Sequence, residues 1–228
     1  MRFVMLLLSA VSFLNHLSAA EKTSEPFNGK SLEGWTTKQP AEKSKWQAGF
    51  AKMDDKNPAT LTVADKGDGA TQLVNAATGG VDIYTLEKYG DAVISLELMV
   101  PKGSNSGVYV LGEYEVQILD SWKKEKVGPG DIGGLYGAAA PASNASKAPG
   151  EWQTMVIDFQ APKFADGKKT ANAKFVKVTL NGQVIHENVE MKGPTPSGVT
   201  GKEAATGPLM FQGDHGPVAF RNIKVSTK

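Results

Sequence analysis

Residues 175–186 read Phe175-Val176-Lys177-Val178-Thr179-Leu180-Asn181-Gly182-Gln183-Val184-Ile185-His186. Apolar and polar side chains alternate up to Leu180, which predicts a strand with one buried face. Asn181-Gly182 then forms the pair favoured at a two-residue hairpin turn, because both central residues of that turn need positive φ. The stretch therefore predicts two antiparallel strands joined by a tight turn.

The same alternation recurs along the rest of the chain. Residues 93–100 place Ile94, Leu96, Leu98 and Val100 on one face, and residues 114–119 do the same with Tyr114, Val116 and Ile118. Further strands are predicted at 46–53, 60–63, 83–86, 107–111, 152–159, 209–212 and 218–225. No ten-residue stretch has a helical period. We therefore expect an all-β protein, a sandwich or jelly roll of antiparallel sheets.

The N-terminus and the composition limit the class of protein. Residues 1–20 carry one charge, an apolar run and a small-residue end at Ala20, which predicts a signal peptide cleaved before Glu21. The remainder, 21–228, is expected to form one soluble domain, periplasmic or secreted, without a membrane anchor. Without Arg2, its 24 basic residues balance 24 acidic ones. A neutral chain lacks the basic face of a nucleic-acid-binding protein.

The most informative polar segment is residues 113–120. In a strand, residues two apart share a face, so Glu113, Glu115 and Gln117 are expected to line up about 7 Å apart and to face a groove. Two carboxylates and a carboxamide in this pattern resemble the acidic strand of laminarinase-type glycoside hydrolases. Because the third position is glutamine, the usual pair of catalytic carboxylates is incomplete. The alternative is a solvated outer strand with polar side chains.

A second candidate group follows at residues 211–222. It contains His215 and Arg221, and Arg221 is the one arginine that remains after residues 1–20 are removed. We expect the Arg221 guanidinium to lie near His215, Glu115 or Asp120, where its planar fork would bind a sugar site. A surface ion pair is the alternative. The other histidine, His186, is expected to be an exposed strand residue.

Two glycine-rich connections, 128–150 and 193–207, are long enough to form the rim of a binding face. Trp122 and Tyr136 lie near or within the first of them and are candidates for stacking on a sugar ring. Trp35, Trp46 and Trp152 have strand-like neighbours and are expected in the core. With no cysteine and two distant histidines, a closed zinc site is not expected. No cofactor is predicted, and a divalent cation held by oxygen ligands is left open.

Several stretches together resemble the 3-keto-disaccharide hydrolase domain family. They are residues 27–35, 104–109, 113–122, 133–137, 149–154, 180–182, 207–212, 215–216 and 220–223. The resemblance covers nearly all of the chain after residue 20. It implies a concanavalin-like jelly-roll sandwich of two antiparallel sheets, in agreement with the alternation.

The resemblance also implies an activity, the cleavage of glycosides whose sugar carries a ketone at carbon 3. The ketone acidifies the C2 proton, so that elimination at C2 and C1 followed by hydration needs one base rather than two matched carboxylates. The acid and base candidates are Glu115, Asp120 and His215. The candidates for binding the carbohydrate are Glu113, Gln117, Tyr109, Gln212, Arg221, Trp122 and Tyr136.

Two other functions remain open from the sequence. The same sandwich serves non-catalytic carbohydrate-binding modules, because a fold does not determine a function. An ordinary glycoside hydrolase acting on unoxidised sugars is the third alternative.

Overall fold

The computed structural model describes residues 22–228 and consists of two packed antiparallel sheets and a separate hairpin. The expected signal peptide, residues 1–20, lies outside the described residues. No helix within residues 22–228 is long and apolar enough to cross a membrane. The one helical element there is a 3-10 turn at Ala41–Lys43.

Five strands form what we call the small sheet. Its strands in spatial order are β2 (Trp35–Thr37), β6 (Ile83–Thr85), β15 (Met210–Phe211), β8 (Asn105–Val110) and β9 (Tyr114–Leu119). β2 and β9 are therefore its two edges. Each neighbouring pair is antiparallel.

Nine strands form the large sheet. In spatial order they are β14 (Gln183–Met191), β13 (Ala173–Leu180), β10 (Trp152–Gln160), β7 (Ala92–Met99), β16 (Val218–Thr227), β5 (Gln72–Asn75), β3 (Trp46–Met53) and β4 (Leu61–Ala64), with β1 (Lys22–Ser24) beside β16. Its pairs are antiparallel as well. The separate hairpin joins β11 (Lys163–Ala165) and β12 (Lys168–Ala171).

The core lies between the inner faces of the two sheets. Tyr114, Val116 and Ile118 of the small sheet are fully buried there, as the alternation predicts. Aromatic rings connect the sheets, since Phe211 of β15 stacks on Phe220 of β16 with ring centroids 4.1 Å apart. The architecture is the expected concanavalin-like sandwich.

The sequence predicts the long strands better than the short ones. The structure confirms the hairpin turn, where Asn181 and Gly182 have φ of 51° and 80°. It also contains β1, β2, β5 and the β11–β12 hairpin, which were not predicted. These strands have three or four residues each, too few for an alternation to stand out from the neighbouring loops.

The prediction for His186 is wrong, because the side chain is buried. The glycine-rich segment 128–150 packs over β14, and Gly133 approaches so closely that a Cβ on it would lie 2.3 Å from Cδ1 of Ile185. The His186 Nε2 atom lies 2.8 Å from the Gly133 carbonyl oxygen. Burial lowers the pKa of His186, which fits a neutral imidazole that anchors this segment.

Candidate functional site

A small cavity of about 120 Å³ opens on the outer face of the small sheet. We call it the site cavity. Six of the residues predicted from the sequence line it: Tyr109, Glu115, Gln117, Tyr136, Gln212 and His215. They come from β8, from β9, from the residues that follow β15 and from the segment 128–150. Asn105, Pro196 and Ser197 complete the wall.

The pleat of β9 places Glu115 and Gln117 in the cavity. Because Tyr114, Val116 and Ile118 face the core, the odd-numbered residues face outward. The expected assignment of faces is confirmed. The groove is narrower than expected, since Glu115 and Gln117 are each less than 5% exposed.

Glu115 owes its position to the absence of a side chain at Gly107, its diagonal neighbour on β8. Gly107 of β8 pairs with Gln117, beside the pair formed by Tyr109 and Glu115. A Cβ on Gly107 would lie 2.4 Å from Oε1 of Glu115 and 3.0 Å from Cε2 of Tyr109. The carboxylate therefore fills the space that a side chain at residue 107 would take.

The Glu115 carboxyl has the electrostatic setting of an acid and base at neutral pH. Burial raises its pKa to about 7, and the negative charges of Asp82 and Asp214 act in the same direction. The Tyr109 hydroxyl and His215 oppose this rise. No ion pair within residues 22–228 involves Glu115. The group can therefore exchange a proton near neutral pH.

His215 contributes a second proton-transfer group to the cavity. Its Nδ1 is hydrogen-bonded to the Asp214 carboxylate, which fixes the tautomer and leaves Nε2 for proton exchange. The side chain is about half exposed. His215 thus lies between the cavity and solvent.

Carboxamides supply neutral hydrogen-bonding groups around Glu115. The Oε1 atom of Gln117 accepts a hydrogen bond from the Ile118 N–H at 2.9 Å, so its NH₂ group is the end available to a ligand. Gln212 lines the opposite side. The Oδ1 atom of Asn105 is buried and has no hydrogen-bond partner within residues 22–228. A buried polar atom without a partner is uncommon and indicates a missing ligand or water.

Sequence reasoning missed Asn105. The residue belongs to the stretch 104–109 that carries the family resemblance, so a signal was present. Periodicity gave no reason to prefer it over neighbouring polar residues.

Glu113 faces outward as predicted, but it lies outside the site cavity. Its Oε1 accepts hydrogen bonds from the N–H and hydroxyl of Thr200, both at 2.7 Å. Its Oε2 accepts one from the Gly201 N–H at 2.9 Å. The carboxylate therefore anchors the connection 193–207 and has no free oxygen for a sugar in this conformation.

Asp120 and Trp122 lie in the turn after β9 and do not line the cavity. The Asp120 carboxylate accepts hydrogen bonds from the Gly103 N–H at 2.9 Å and the Trp122 N–H at 3.2 Å. Asp120 is even-numbered, so the pleat separates it from the outward face of Glu115 and Gln117, and β9 ends one residue before it, at Leu119. Trp122 is 44% exposed, and Lys123 lies over its ring.

The expected contact between Arg221 and the site is wrong. Its Nε donates to Oε2 of Glu97 at 2.8 Å, and its guanidinium carbon lies 4.0 Å from the ring centroid of Trp152. Phe220 faces the core and Arg221 faces outward, as the alternation predicts. However, β16 belongs to the large sheet, so its outer face is on the opposite side of the molecule from Glu115.

The titratable groups of the described residues do not form a cluster of metal ligands. Within residues 22–228, no group of three or more histidine, cysteine, aspartate or glutamate side chains is arranged to hold an ion. In the site cavity, Glu115 and His215 are the acidic and basic side chains, and Gln117, Gln212, Asn105 and Tyr109 are hydrogen-bonding groups.

Residues 22–226 match the model of the 3-keto-alpha-glucoside-1,2-lyase-like domain. The chain belongs to this family. Two solved structures from Parabacteroides distasonis ATCC 8503, both provisionally assigned as glycosyl hydrolases, resemble this member of the family. One is 25% identical, with 90% of this chain and 84% of that chain covered and a TM-score of 0.67. The other is 19% identical, with 90% and 94% covered and a TM-score of 0.61. Among curated proteins, none matches the chain in sequence.

Proposed function

We propose that this protein cleaves glycosides whose sugar carries a ketone at carbon 3, by elimination followed by hydration. The observation that carries the proposal is Glu115, the one carboxyl group among residues 22–228 that lines the site cavity, whose pKa, raised by burial to about 7, suits a base at neutral pH. A retaining or inverting glycosidase needs two carboxyl groups across the bond that breaks. Family membership and the resemblance to a provisionally assigned glycosyl hydrolase support a carbohydrate substrate.

The first step removes the C2 proton of the bound sugar. The ketone at C3 acidifies this proton, and the Glu115 carboxylate takes it. The electron pair of the C2–H bond moves into an enolate whose charge rests on the C3 oxygen. Hydrogen-bond donors placed where that charge develops would stabilise it, and the NH₂ groups of Gln117 and Gln212 and the carboxamide of Asn105 are the neutral candidates.

The second step expels the group at C1. The enolate re-forms the C3 carbonyl, a C1–C2 double bond forms, and the C1–O bond breaks. His215 donates a proton to the departing oxygen, since its ring is oriented by Asp214 and partly exposed. Water then adds to C1 and gives up one proton to the His215 ring, which restores it, while Glu115 returns the proton it removed to C2. The product is the free 3-keto sugar.

The assay that tests this function compares oxidised and unoxidised substrates. Purified protein is incubated with 3-keto-trehalose, 3-keto-lactose and their unoxidised parents, with and without chelator, and products are followed by NMR. We expect cleavage of the 3-keto compounds alone. Hydrolysis of the parents at comparable rates would identify an ordinary glycosidase. Binding of these sugars without turnover of any would identify a carbohydrate-binding module.

A further inference from the structure

One segment of the connection 193–207 lies across the outer face of the small sheet. We call residues 195–201 the strap. It begins at the edge strand β9, where the Thr195 N–H donates to the Glu113 carbonyl oxygen at 2.8 Å. The Thr195 hydroxyl oxygen accepts a hydrogen bond from the Glu115 N–H at 2.9 Å. The strap is thus fixed beside the candidate base at its first residue.

The middle of the strap is held by a residue from the opposite edge of the sheet. Lys38 directly follows β2, and its Nζ donates to the Ser197 carbonyl oxygen at 2.6 Å. The same ammonium pairs with Asp82 at 3.4 Å. Asp82 is buried and accepts a hydrogen bond from the Gly213 N–H at 3.0 Å. Lys38 is therefore held by a buried carboxylate that directly precedes β6.

The end of the strap returns to the turn between β8 and β9. The Val199 N–H donates to the Gly112 carbonyl oxygen at 2.8 Å, and the Glu113 carboxylate accepts from Thr200 and Gly201, as described above. Gly198 lies so close to Glu113 that a Cβ would be 2.1 Å from its Oε2. The strap has ties at both ends and in the middle.

The strap separates two cavities on the same sheet face. Pro196 and Ser197 line the site cavity, whereas Val199 and Thr200 line a second cavity of about 390 Å³ with Leu111 and Glu113. The site cavity is lined by Asn105 and Tyr109 of β8, whereas Leu111 directly follows β8, so the second cavity lies beyond the end of β8 that leads into the turn to β9. At about 120 Å³ the site cavity is well below the roughly 300–1,000 Å³ of pockets that enclose drug-sized ligands.

We propose that the strap determines substrate length and that Lys38 is the positioning residue that holds it in place. This inference rests on the proposed function. With the strap tied down, the site cavity encloses one sugar ring, and further sugar units on the strap side are excluded. Without the tie, the two cavities join into one groove along the strands that accepts a longer glycoside.

The test compares a short and a long substrate. kcat/KM is measured for methyl 3-keto-glucoside and for a 3-keto-glucosyl tetrasaccharide, with Lys38→Met/Asp82→Asn as the main variant. The second substitution avoids a buried carboxylate without its cation. Lys38→Arg preserves the charge, and Lys163→Met removes the lysine of a distant pair with Asp91. Hydrogen exchange at the Val199, Thr200 and Gly201 amides reports whether the strap is released.

We expect the long-to-short ratio of kcat/KM to rise at least tenfold in the double variant, with faster exchange of the three amides. Lys38→Arg and Lys163→Met should keep the wild-type ratio. An unchanged ratio in a folded double variant with released amides would overturn the length proposal, and amides that stay protected would overturn the role of Lys38. If the wild type cleaves neither substrate, the proposed function fails. The long-to-short ratio is then measured on the dissociation constants of the unoxidised glycosides by NMR titration. A shift of at least tenfold toward tighter binding of the long glycoside in the double variant would support the length proposal, and an unchanged ratio would overturn it.

Discussion

The outer faces of the two sheets each hold a glutamate in a different electrostatic setting. Glu97, on the large sheet, pairs with Arg221 at 2.7 Å and accepts a hydrogen bond from Asn222 at 2.7 Å. Burial alone would raise its pKa, but the hydrogen bonds from Asn222 and Arg221 hold it below the usual value. Glu115, on the small sheet, takes part in no ion pair within residues 22–228, and burial raises its pKa to about 7.

The difference separates a structural carboxylate from a reactive one. A paired carboxylate stays charged and has its lone pairs occupied, so it contributes to packing rather than to proton transfer. A buried carboxyl without a cation holds its proton to higher pH and is ready to exchange it with a ligand.

The largest expected effect is on turnover of a 3-keto-glycoside by Glu115→Gln. Loss of a general base costs about 10²–10⁴-fold in rate, whereas the amide keeps the volume of the side chain. The matched substitutions on the other face, Glu97→Gln and Arg221→Lys, should change kcat less than about threefold. Steady-state kinetics on all three variants checks this. A loss of kcat in Arg221→Lys as large as in Glu115→Gln would show that the two faces do not differ in function.

The next largest loss of kcat is expected from Gly107→Ala, which displaces the Glu115 carboxylate but leaves the carboxyl group itself in place. The new methyl group would lie 2.4 Å from Oε1, so the carboxylate must move. A displacement of about 1 Å costs roughly 10²-fold in rate. Gly193→Ala is the control, because a Cβ there meets nothing within 4 Å. Wild-type kcat in a folded Gly107→Ala variant would show that the position of Glu115 is unimportant.

A smaller effect is expected from Asn105→Ala. Loss of one hydrogen bond to substrate is worth about 1 kcal/mol, or roughly fivefold in kcat/KM. Removing a buried oxygen that lacks a partner should not lower the melting temperature. Asn144→Ala is the reverse control, since its amide donates to two backbone carbonyls and its loss should lower stability without changing kinetics. A lower melting temperature with unchanged kcat/KM for Asn105→Ala would assign it to structure alone.

The contribution of Glu115 to the free energy of unfolding depends on pH. The folded pKa of Glu115, about 7, lies above the unfolded value of about 4.3. The native state thus binds more protons between these values, and stability falls as pH rises from about 4 to 7. Glu115→Gln should therefore match wild type near pH 4 and exceed it at pH 8 by on the order of 3 kcal/mol, or several degrees. Thermal melts at the two pH values check this. A difference independent of pH would mean that Glu115 ionises normally.

The sequence predicted local features well and long-range ones poorly. Alternation in β9 assigned Glu115 and Gln117 to one face and Tyr114 to the other, because the pleat is a property of a single strand. The face of Arg221 relative to its own strand was also predicted. Which side of the molecule that face belongs to depends on β16 pairing with β7 and β5, and those pairings join residues far apart in sequence.

The contacts of the strap could not be predicted from the sequence for the same reason. Lys38 and Ser197 are 159 residues apart in sequence, so no local pattern joins them. Glu113 shares the face of Glu115 and looked equivalent by spacing. Its role as an anchor follows from the strap that covers it, which spacing along one strand does not reveal.

The most direct test of the elimination mechanism follows the hydrogen at C2 of a 3-keto-glycoside. A substrate deuterated at C2 is turned over in ordinary water, and the released sugar is analysed at early times by NMR and mass spectrometry. The free product incubated without protein serves as the control for spontaneous exchange. If Glu115 removes the C2 proton, kcat/KM should fall severalfold with deuterium and the product should carry a solvent proton at C2. Complete retention of deuterium with no isotope effect would contradict elimination.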